Sequence, residues 1–236
     1  MQLAQLNAVY ERLVAAFGLP VLVPDHDPLG GMVETILSQS TSDINSQRAY
    51  RDLLAAVPTW EAVRDAPTTT IAAAIVHGGL ANIKAQRIQA ALRKVTAILP
   101  TTADGTSLAE RFSVWLVTMP VAEARLALQK IPSVGPKTAA CVLLFSLGQP
   151  SMPVDTHVYR ITQRLGWIDS KTSVARTHEL YDAVTPAEMV YPLHILLITL
   201  GRRVCRARNP RCAQCPLRKI CPVGQGHQRE GLKPPR

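Results

Sequence analysis

The chain has 236 residues, of which 47% are hydrophobic and 18% are charged, and its net charge is +9. This length allows one large domain or two modest ones, and the hydrophobic content is sufficient for a buried core. The longest apolar run, Ala139 to Leu147, is about half of a membrane span, and the first residues lack the pattern of a signal peptide. We therefore expect a soluble, cytoplasmic protein.

Apolar residues recur at helical spacing along nearly the whole chain, which predicts an all-α fold. The first helix is expected to end at Gly18 and Pro20. Further helices are predicted at 29–38, 43–56, 60–65, 68–76, 82–98, 121–130, 137–147, 156–165 and 173–184. Capping-box patterns at Ser107–Glu110 and Thr185–Glu188 predict two more helix starts, the second helix extending towards Leu200.

A tight turn, Ile131–Pro136, separates two of these helices. Pro132 and Pro136 fix φ, whereas Gly135 permits a left-handed conformation or a close backbone approach. The helix that follows begins with unpaired N–H groups, which favour phosphate binding. An ordinary helix–helix corner has the same features, so the pattern leaves both interpretations open.

An aspartate follows this turn in the segment Val154-Asp155-Thr156-His157. Asp155 stands where a helix N-cap is expected, and capping alone would explain an aspartate there. His157 is expected to be a structural partner rather than a base.

Four of the five cysteines lie close together, at Cys205, Cys212, Cys215 and Cys221. Four thiolates this close repel one another unless they share a metal, and both zinc and a 4Fe–4S cluster accept four cysteines. Structural zinc sites usually use two closely spaced cysteine pairs. Only Cys212 and Cys215 form such a pair here, which favours the iron–sulfur cluster over zinc. A tight cluster also indicates metal binding in an intracellular protein rather than disulfides. Cys141 is expected to be ordinary core packing.

The positive charge is concentrated at the C-terminal end of the chain. Residues 1–200 carry equal numbers of basic and acidic side chains, whereas residues 201–236 carry ten basic side chains and one acidic one. Such a patch attracts a polyanion and gives salt-dependent affinity. A solvated tail is the alternative interpretation of the charge alone.

These motifs resemble those of the endonuclease III family of DNA glycosylases, from about residue 3 to Cys221. Leu126–Phe145 is similar to the family's helix-hairpin-helix, whose turn is Leu-Pro-Gly-Val-Gly, one residue, then Lys-Thr-Ala; Ser133 replaces the first glycine. Val-Asp-Thr-His and the cysteine spacing are also similar. The resemblance implies two lobes, a helical barrel of residues 21–149 and a second domain of residues 1–20 with 150–236.

The resemblance also implies the catalytic pair. Lys137 would be the nucleophile that attacks the sugar C1′ and forms a Schiff base, followed by β-elimination. The amine must be neutral to attack, and burial and the positive end of the adjacent helix both favour that form. Asp155 would stabilise positive charge on the sugar and help to deprotonate the lysine or a water. The two groups are expected to face each other across a cleft.

The remaining expectations concern the cofactor and the DNA. The family's 4Fe–4S cluster would be held by the four clustered cysteines, Cys205, Cys212, Cys215 and Cys221. The loop between the first two cysteines would then contact phosphates through Arg206, Arg208 and Arg211. Duplex opening would involve a gap-filling residue, Gln39 or Ser40, and the wedge Leu80, while Val134 and Gly135 of the hairpin contact the strand. The segment near 98–122 is longer than the family pattern.

The expected function is removal of a damaged, oxidised pyrimidine from double-stranded DNA, followed by cleavage of the abasic site. The enzyme would act as a monomer associated with the bacterial nucleoid. Two alternatives remain open: a thymine or uracil mismatch glycosylase of the same fold, and a non-catalytic iron–sulfur protein that binds DNA.

Overall fold

The computed structural model describes residues 2–100 and 105–229, and every regular element in these ranges is helical. The predicted all-α class is therefore confirmed. Residues 101–104, inside the longer segment near 98–122, and residues 230–236, with Lys233 and Arg236 of the basic end, lie outside the described residues. The chain divides into two compact units, Val23–Ser151 and Met1–Leu22 with Met152–Arg236.

The helices follow one another with short connections. In chain order they are α1 (Leu3–Phe17), α2 (Pro28–Ser38), α3 (Asp43–Ala56), α4 (Trp60–Asp65), α5 (Thr68–Ala74), α6 (Ala81–Ile98), α7 (Leu108–Val117), α8 (Val121–Leu128), α9 (Pro136–Cys141), α10 (Thr156–Arg164), α11 (Val174–Val184), α12 (Ala187–Arg203) and α13 (Pro222–Arg229). Short 3₁₀ turns lie at Val76–Gly78 and Cys212–Gln214, and α9 continues as a π-helical segment, Val142–Ser146.

Most predicted helices are present, but several boundaries are corrected. The helix predicted at 68–76 ends at Ala74, and a 3₁₀ turn follows it. The helix predicted at 137–147 is α-helical only to Cys141 and then widens into the π-helical segment. The sequence pattern did not predict α13, because the cysteine-rich region preceding it lacks an apolar period.

The two capping boxes have different outcomes. The Ser107 box is confirmed, since the Ser107 hydroxyl accepts from Glu110 N at 3.3 Å and the Glu110 carboxylate accepts from Ser107 N at 3.0 Å. The Thr185 box is wrong, because α12 begins at Ala187 and Pro186 occupies the cap position. Thr185 is therefore one residue too far from the helix to cap it, and its buried hydroxyl has no hydrogen-bond partner.

The unit Val23–Ser151 is built around α2. Seven of the eleven residues of α2 are buried, which places this helix at the centre of the apolar core. It packs against α3, α6, α7, α9 and the π-helical segment. Its C-terminal end leads directly into Gln39 and Ser40, so the core fixes the position from which that loop starts.

The other unit joins the N-terminal helix to the C-terminal part of the chain. Helix α12 packs against both α1 and α10, and α1 contributes Leu6, Val9 and Leu13 at helical spacing. Asp155 lies at the start of α10 and the four clustered cysteines follow α12. Among the described helices, none has the length and apolar character needed to cross a membrane.

Candidate active site

The hairpin turn, Ile131–Gly135, is closed by its own backbone. Val134 N donates to the Ile131 carbonyl at 3.1 Å, with Pro132 in the second position and Ser133 in the third. Ser133 has φ +67°, as the third position of a type II turn requires, and glycine is normally favoured there. Of the two possibilities that the sequence left for Gly135, the left-handed conformation is not adopted: Gly135 has φ −90° and ψ −179°, and the left-handed residue is Ser133.

Packing and one long-range hydrogen bond hold this turn in place. Ile131 is 2% exposed and Val134 is 5% exposed, and both belong to the apolar core. Gln39 Nε2 donates to the Ser133 carbonyl at 3.2 Å, while Gln39 Oε1 accepts from Arg87 at 3.2 Å. At exposed Gly135, an added Cβ would have no atom within 4 Å, so its backbone is open to a ligand.

Lys137 is the second residue of α9 and is half-buried. It lines a cleft of about 180 Å³ within its own unit. The other lining residues supply mainly carboxyl, hydroxyl and amide groups: Glu34, Thr35, Ser38, Asp43, Ser46, Gln47, Cys141 and Phe145. Burial, with a smaller contribution from Asp25, raises the pKa of Glu34, so this carboxyl keeps its proton to higher pH and can then donate a hydrogen bond.

Asp155 is the N-cap of α10, as predicted. Its Oδ1 accepts from Val158 N at 2.7 Å. The residues before it are anchored by two buried histidines, because His178 Nδ1 bonds to the Met152 carbonyl at 2.8 Å and His194 Nδ1 bonds to the Pro153 carbonyl at 3.0 Å. A carbonyl can only accept, so each ring carries its proton on Nδ1.

Neither His178 nor His194 was predicted from the sequence as a site residue. Their signal is a histidine on the buried face of an amphipathic helix, and α11 and α12 each contain one. Such a residue needs a polar partner when it is buried, but the sequence does not say which one.

The two predicted duplex-opening loops lie together in the unit Val23–Ser151. Thr41 Oγ1, in the loop after α2, donates to the carbonyl of Gly78 in the loop before α6. Ser40 is exposed with φ +56°, and Leu80 is 57% exposed with φ +50°. Each loop therefore presents one exposed non-glycine residue with positive φ, whereas the Gln39 amide is engaged with the hairpin turn.

Cys205, Cys212, Cys215 and Cys221 line one cavity in the other unit. Burial raises the pKa of Cys215 to about 11, and the neighbouring thiols add to this effect. Burial and neighbouring thiols also raise the pKa of Cys212. Four thiolates around one cavity therefore need a shared positive charge, which a metal cluster supplies. In the described part of the chain, no three His, Cys, Asp or Glu side chains converge on a site for a single metal ion.

The loop from Cys205 to Cys212 presents Arg206, Arg208 and Arg211, all exposed. The Val204 carbonyl closes it by accepting from Arg206 N at 2.9 Å and from Arg211 N at 3.0 Å. Two arginines of α10, one turn apart, hold this loop, and neither was predicted from the sequence as a site residue. Arg164 donates to Cys205 Sγ at 3.2 Å and to the Arg206 carbonyl at 2.7 Å, and Arg160 donates to the Cys205 carbonyl.

Comparison with known proteins gives two family matches. Residues 33–186 match the model of the HhH-GPD superfamily of base excision DNA repair proteins. Residues 205–221 match the iron–sulfur binding domain of endonuclease III, and this segment contains all four clustered cysteines. The four cysteines around one cavity fit an iron–sulfur cluster, so the expected 4Fe–4S cofactor is confirmed.

Individual relatives agree with these matches. Endonuclease III of Thermotoga maritima is 31% identical over 195 residues, which cover 83% of each protein. A relative from Arabidopsis thaliana is 36% identical over 174 residues, and the chain spans 56% of that protein's length.

Solved structures show the same relationship. A trapped covalent intermediate of endonuclease III with DNA has a TM-score of 0.77 and 25% identity, covering 97% of this chain and all of that one. A thermostable thymine-DNA glycosylase, at 19% identity and a TM-score of 0.75, shares the fold. The chain belongs to the endonuclease III family of the HhH-GPD superfamily of base excision DNA repair proteins.

Proposed function

We propose that this chain is a bifunctional DNA glycosylase and abasic-site lyase that removes oxidised pyrimidines from double-stranded DNA. One observation carries the proposal: Lys137, at the start of the helix after the hairpin turn, lines a cleft to which carboxyl, hydroxyl and amide side chains contribute. A covalent endonuclease III–DNA intermediate is among the similar structures, and an amine in this position is suited to form such a bond.

The proposed chemistry begins with the neutral Lys137 amine. Its nitrogen bonds to the sugar C1′ while the glycosidic bond breaks, and the bonding pair leaves with the base, which takes up a proton. The nitrogen then loses a proton and the sugar ring opens, giving a Schiff base. Removal of a C2′ proton expels the 3′ phosphate by β-elimination, and water releases the lysine.

Asp155 is proposed to act as a carboxylate that stabilises the positive charge developing on the sugar. Its cap bond to Val158 N fixes one oxygen, and the buried histidines fix the backbone before it. A rigid carboxylate loses little free energy to reorganisation during the reaction. Capping and catalysis are compatible because a carboxylate has two oxygens.

The cleft beside Lys137 supports a pyrimidine substrate. Hydroxyl, amide and carboxyl groups line it, and Glu34 can donate when it is protonated. Donors and acceptors together suit the oxygen-rich edge of an oxidised pyrimidine. A purely apolar pocket would discriminate such bases poorly.

DNA binding is proposed to involve both units. Cys205, Cys212, Cys215 and Cys221 would hold the 4Fe–4S cluster, which supplies structural rigidity. Exposed Arg206, Arg208 and Arg211 would contact phosphates. In the other unit, Val134, Gly135 and the loops carrying Gln39, Ser40 and Leu80 would contact the opened strand. We propose that the protein acts as a monomer at the nucleoid.

Borohydride trapping tests the proposal. Wild-type protein should form a covalent adduct with a duplex carrying an oxidised pyrimidine or an abasic site, and Lys137→Gln should abolish it. Lys171→Gln, at an exposed lysine, is the matched control. If an adduct persists in Lys137→Gln, another residue is the nucleophile. If wild-type protein forms no adduct on either duplex, the proposed lyase activity fails. A duplex with a G·T or G·U mismatch separates the damage-specific enzyme from the mismatch glycosylase.

Two substitutions at Asp155 separate its capping and catalytic roles in the same assay. Asp155→Asn retains a cap oxygen but removes the charge, so we expect slower excision with an unchanged melting temperature. Asp155→Ala should also lose about 1 kcal/mol of stability. Equal excision rates for Asp155→Asn and wild type would restrict Asp155 to capping.

A further inference from the structure

Lys84 is a buried lysine that the proposed chemistry does not use. It lies in the first turn of α6, and it is 1% exposed. A buried ammonium group is costly unless each of its three N–H groups has an acceptor. Burial, with a smaller contribution from Arg87, lowers the pKa of Lys84.

All three acceptors of Lys84 are neutral oxygens from the two duplex-opening loops and their borders. Its Nζ donates to Thr41 Oγ1 at 2.6 Å, to the Gly78 carbonyl at 2.7 Å and to the carbonyl of Leu37 near the end of α2. The Thr41 hydroxyl also donates to the same Gly78 carbonyl. One ammonium group therefore joins the loop after α2 to the loop before α6.

Both joined loops contain backbone that needs such support. Ser40 and Leu80 are non-glycine residues with positive φ, a conformation that persists only where the surroundings enforce it. Ser40 is next to Thr41, and the Leu80 carbonyl accepts from Lys84 N at 2.9 Å. Lys84 thus contacts the residue next to Ser40 through its side chain and Leu80 itself through its backbone N–H.

We infer that Lys84 is a positioning residue that binds the two loops into one rigid duplex-opening element, so that Ser40 and Leu80 enter the DNA duplex together. This inference rests on the proposed function, because it concerns the step that precedes chemistry at Lys137. Opening a DNA duplex requires unstacking of its bases, which costs free energy. Loops that were flexible before insertion would also lose conformational entropy when they enter the duplex. Preformed loops avoid that additional cost.

The test compares a duplex with an abasic site and the same abasic site inside an unpaired bubble, which is already open. Lys84→Met keeps the apolar stem and removes the ammonium group. We expect it to slow strand cleavage in the duplex by at least about tenfold, the factor for lost hydrogen bonds to a charged group. In the bubble the loss should stay below about threefold. Lys94→Met, at an exposed lysine of the same helix, is the matched control.

A direct readout of opening accompanies the kinetics. The fluorescence of 2-aminopurine opposite the abasic site should rise with wild-type protein and rise less with Lys84→Met. Thr41→Val removes the hydroxyl that accepts a hydrogen bond from Lys84, and it should likewise slow cleavage of the duplex more than cleavage of the bubble. This variant provides the same test if Lys84→Met does not fold.

The outcomes separate the inference from the proposed function. If wild-type protein cleaves neither substrate, the proposed function fails. If wild type cleaves both and Lys84→Met loses the same factor on each, the lysine supports the fold generally and the inference fails. Unchanged duplex cleavage and 2-aminopurine fluorescence in both variants would also overturn it.

Discussion

The hairpin turn and the cysteine loop (Val204–Cys221) are both short irregular segments, but they are held in opposite ways. The hairpin turn buries Ile131 and Val134 in the core of its unit and closes with a backbone hydrogen bond. In the cysteine loop, all of which the structure describes, Leu217 is the only buried residue. The hairpin is thus positioned by packing, whereas the cysteine loop depends on its cluster and on Arg160 and Arg164.

The largest effect is expected from a substitution that disrupts the cysteine loop and leaves the hairpin turn intact. Cys215→Ser should lose the iron–sulfur cluster, because three remaining thiolates leave one iron without its protein ligand. DNA binding should weaken strongly, since the loop with Arg206, Arg208 and Arg211 loses its support. Iron content, visible absorption and DNA affinity measure these effects.

Cys141→Ser is the control for iron content, because Cys141 is buried in the other unit. It should retain the full complement of iron. A Cys215→Ser protein that keeps its cluster and its DNA affinity would contradict the proposed ligand set.

A smaller effect is expected when the hairpin loses apolar packing. Ile131→Ala should lower the free energy of unfolding by about 2–5 kcal/mol, as truncation of a buried isoleucine does. Leu126→Ala removes a side chain that is 61% exposed and should change stability by less than about 0.5 kcal/mol. Urea unfolding measures both. Loss of iron in Ile131→Ala before unfolding would contradict the separate support of the two segments.

The smallest effect is expected at the left-handed residue of the hairpin turn. Ser133→Gly should raise the free energy of unfolding by up to about 1 kcal/mol, because relief of the left-handed strain exceeds the entropy that glycine adds to the unfolded chain. Ser133→Ala keeps a Cβ at positive φ and should show no gain. Thermal melting measures the difference, and a gain of equal size in both variants would place its cause outside the backbone.

The family resemblance was accessible from sequence because its motifs are short and contiguous. The hairpin segment, Val-Asp-Thr-His and the cysteine spacing each fall within about twenty residues of chain. The roles of Lys137 and Asp155 follow from that resemblance and stay predictions. Nothing in the local pattern of Lys84 distinguishes it from an exposed lysine of the same helix, such as Lys94, because two of its three acceptors, Leu37 and Thr41, lie more than forty residues away.

Features that depend on near neighbours were predictable from the sequence: the all-α class from apolar spacing, the Ser107 capping box, and the cap at Asp155. These interactions span three or four residues, so their partners can be identified from the chain alone. Tertiary structure decided which buried polar groups meet. The contacts of Lys84 with the Leu37 and Thr41 region, of His194 with Pro153 and of Gln39 with Ser133 span more than forty residues each, and the folded core brings these atoms within hydrogen-bonding distance.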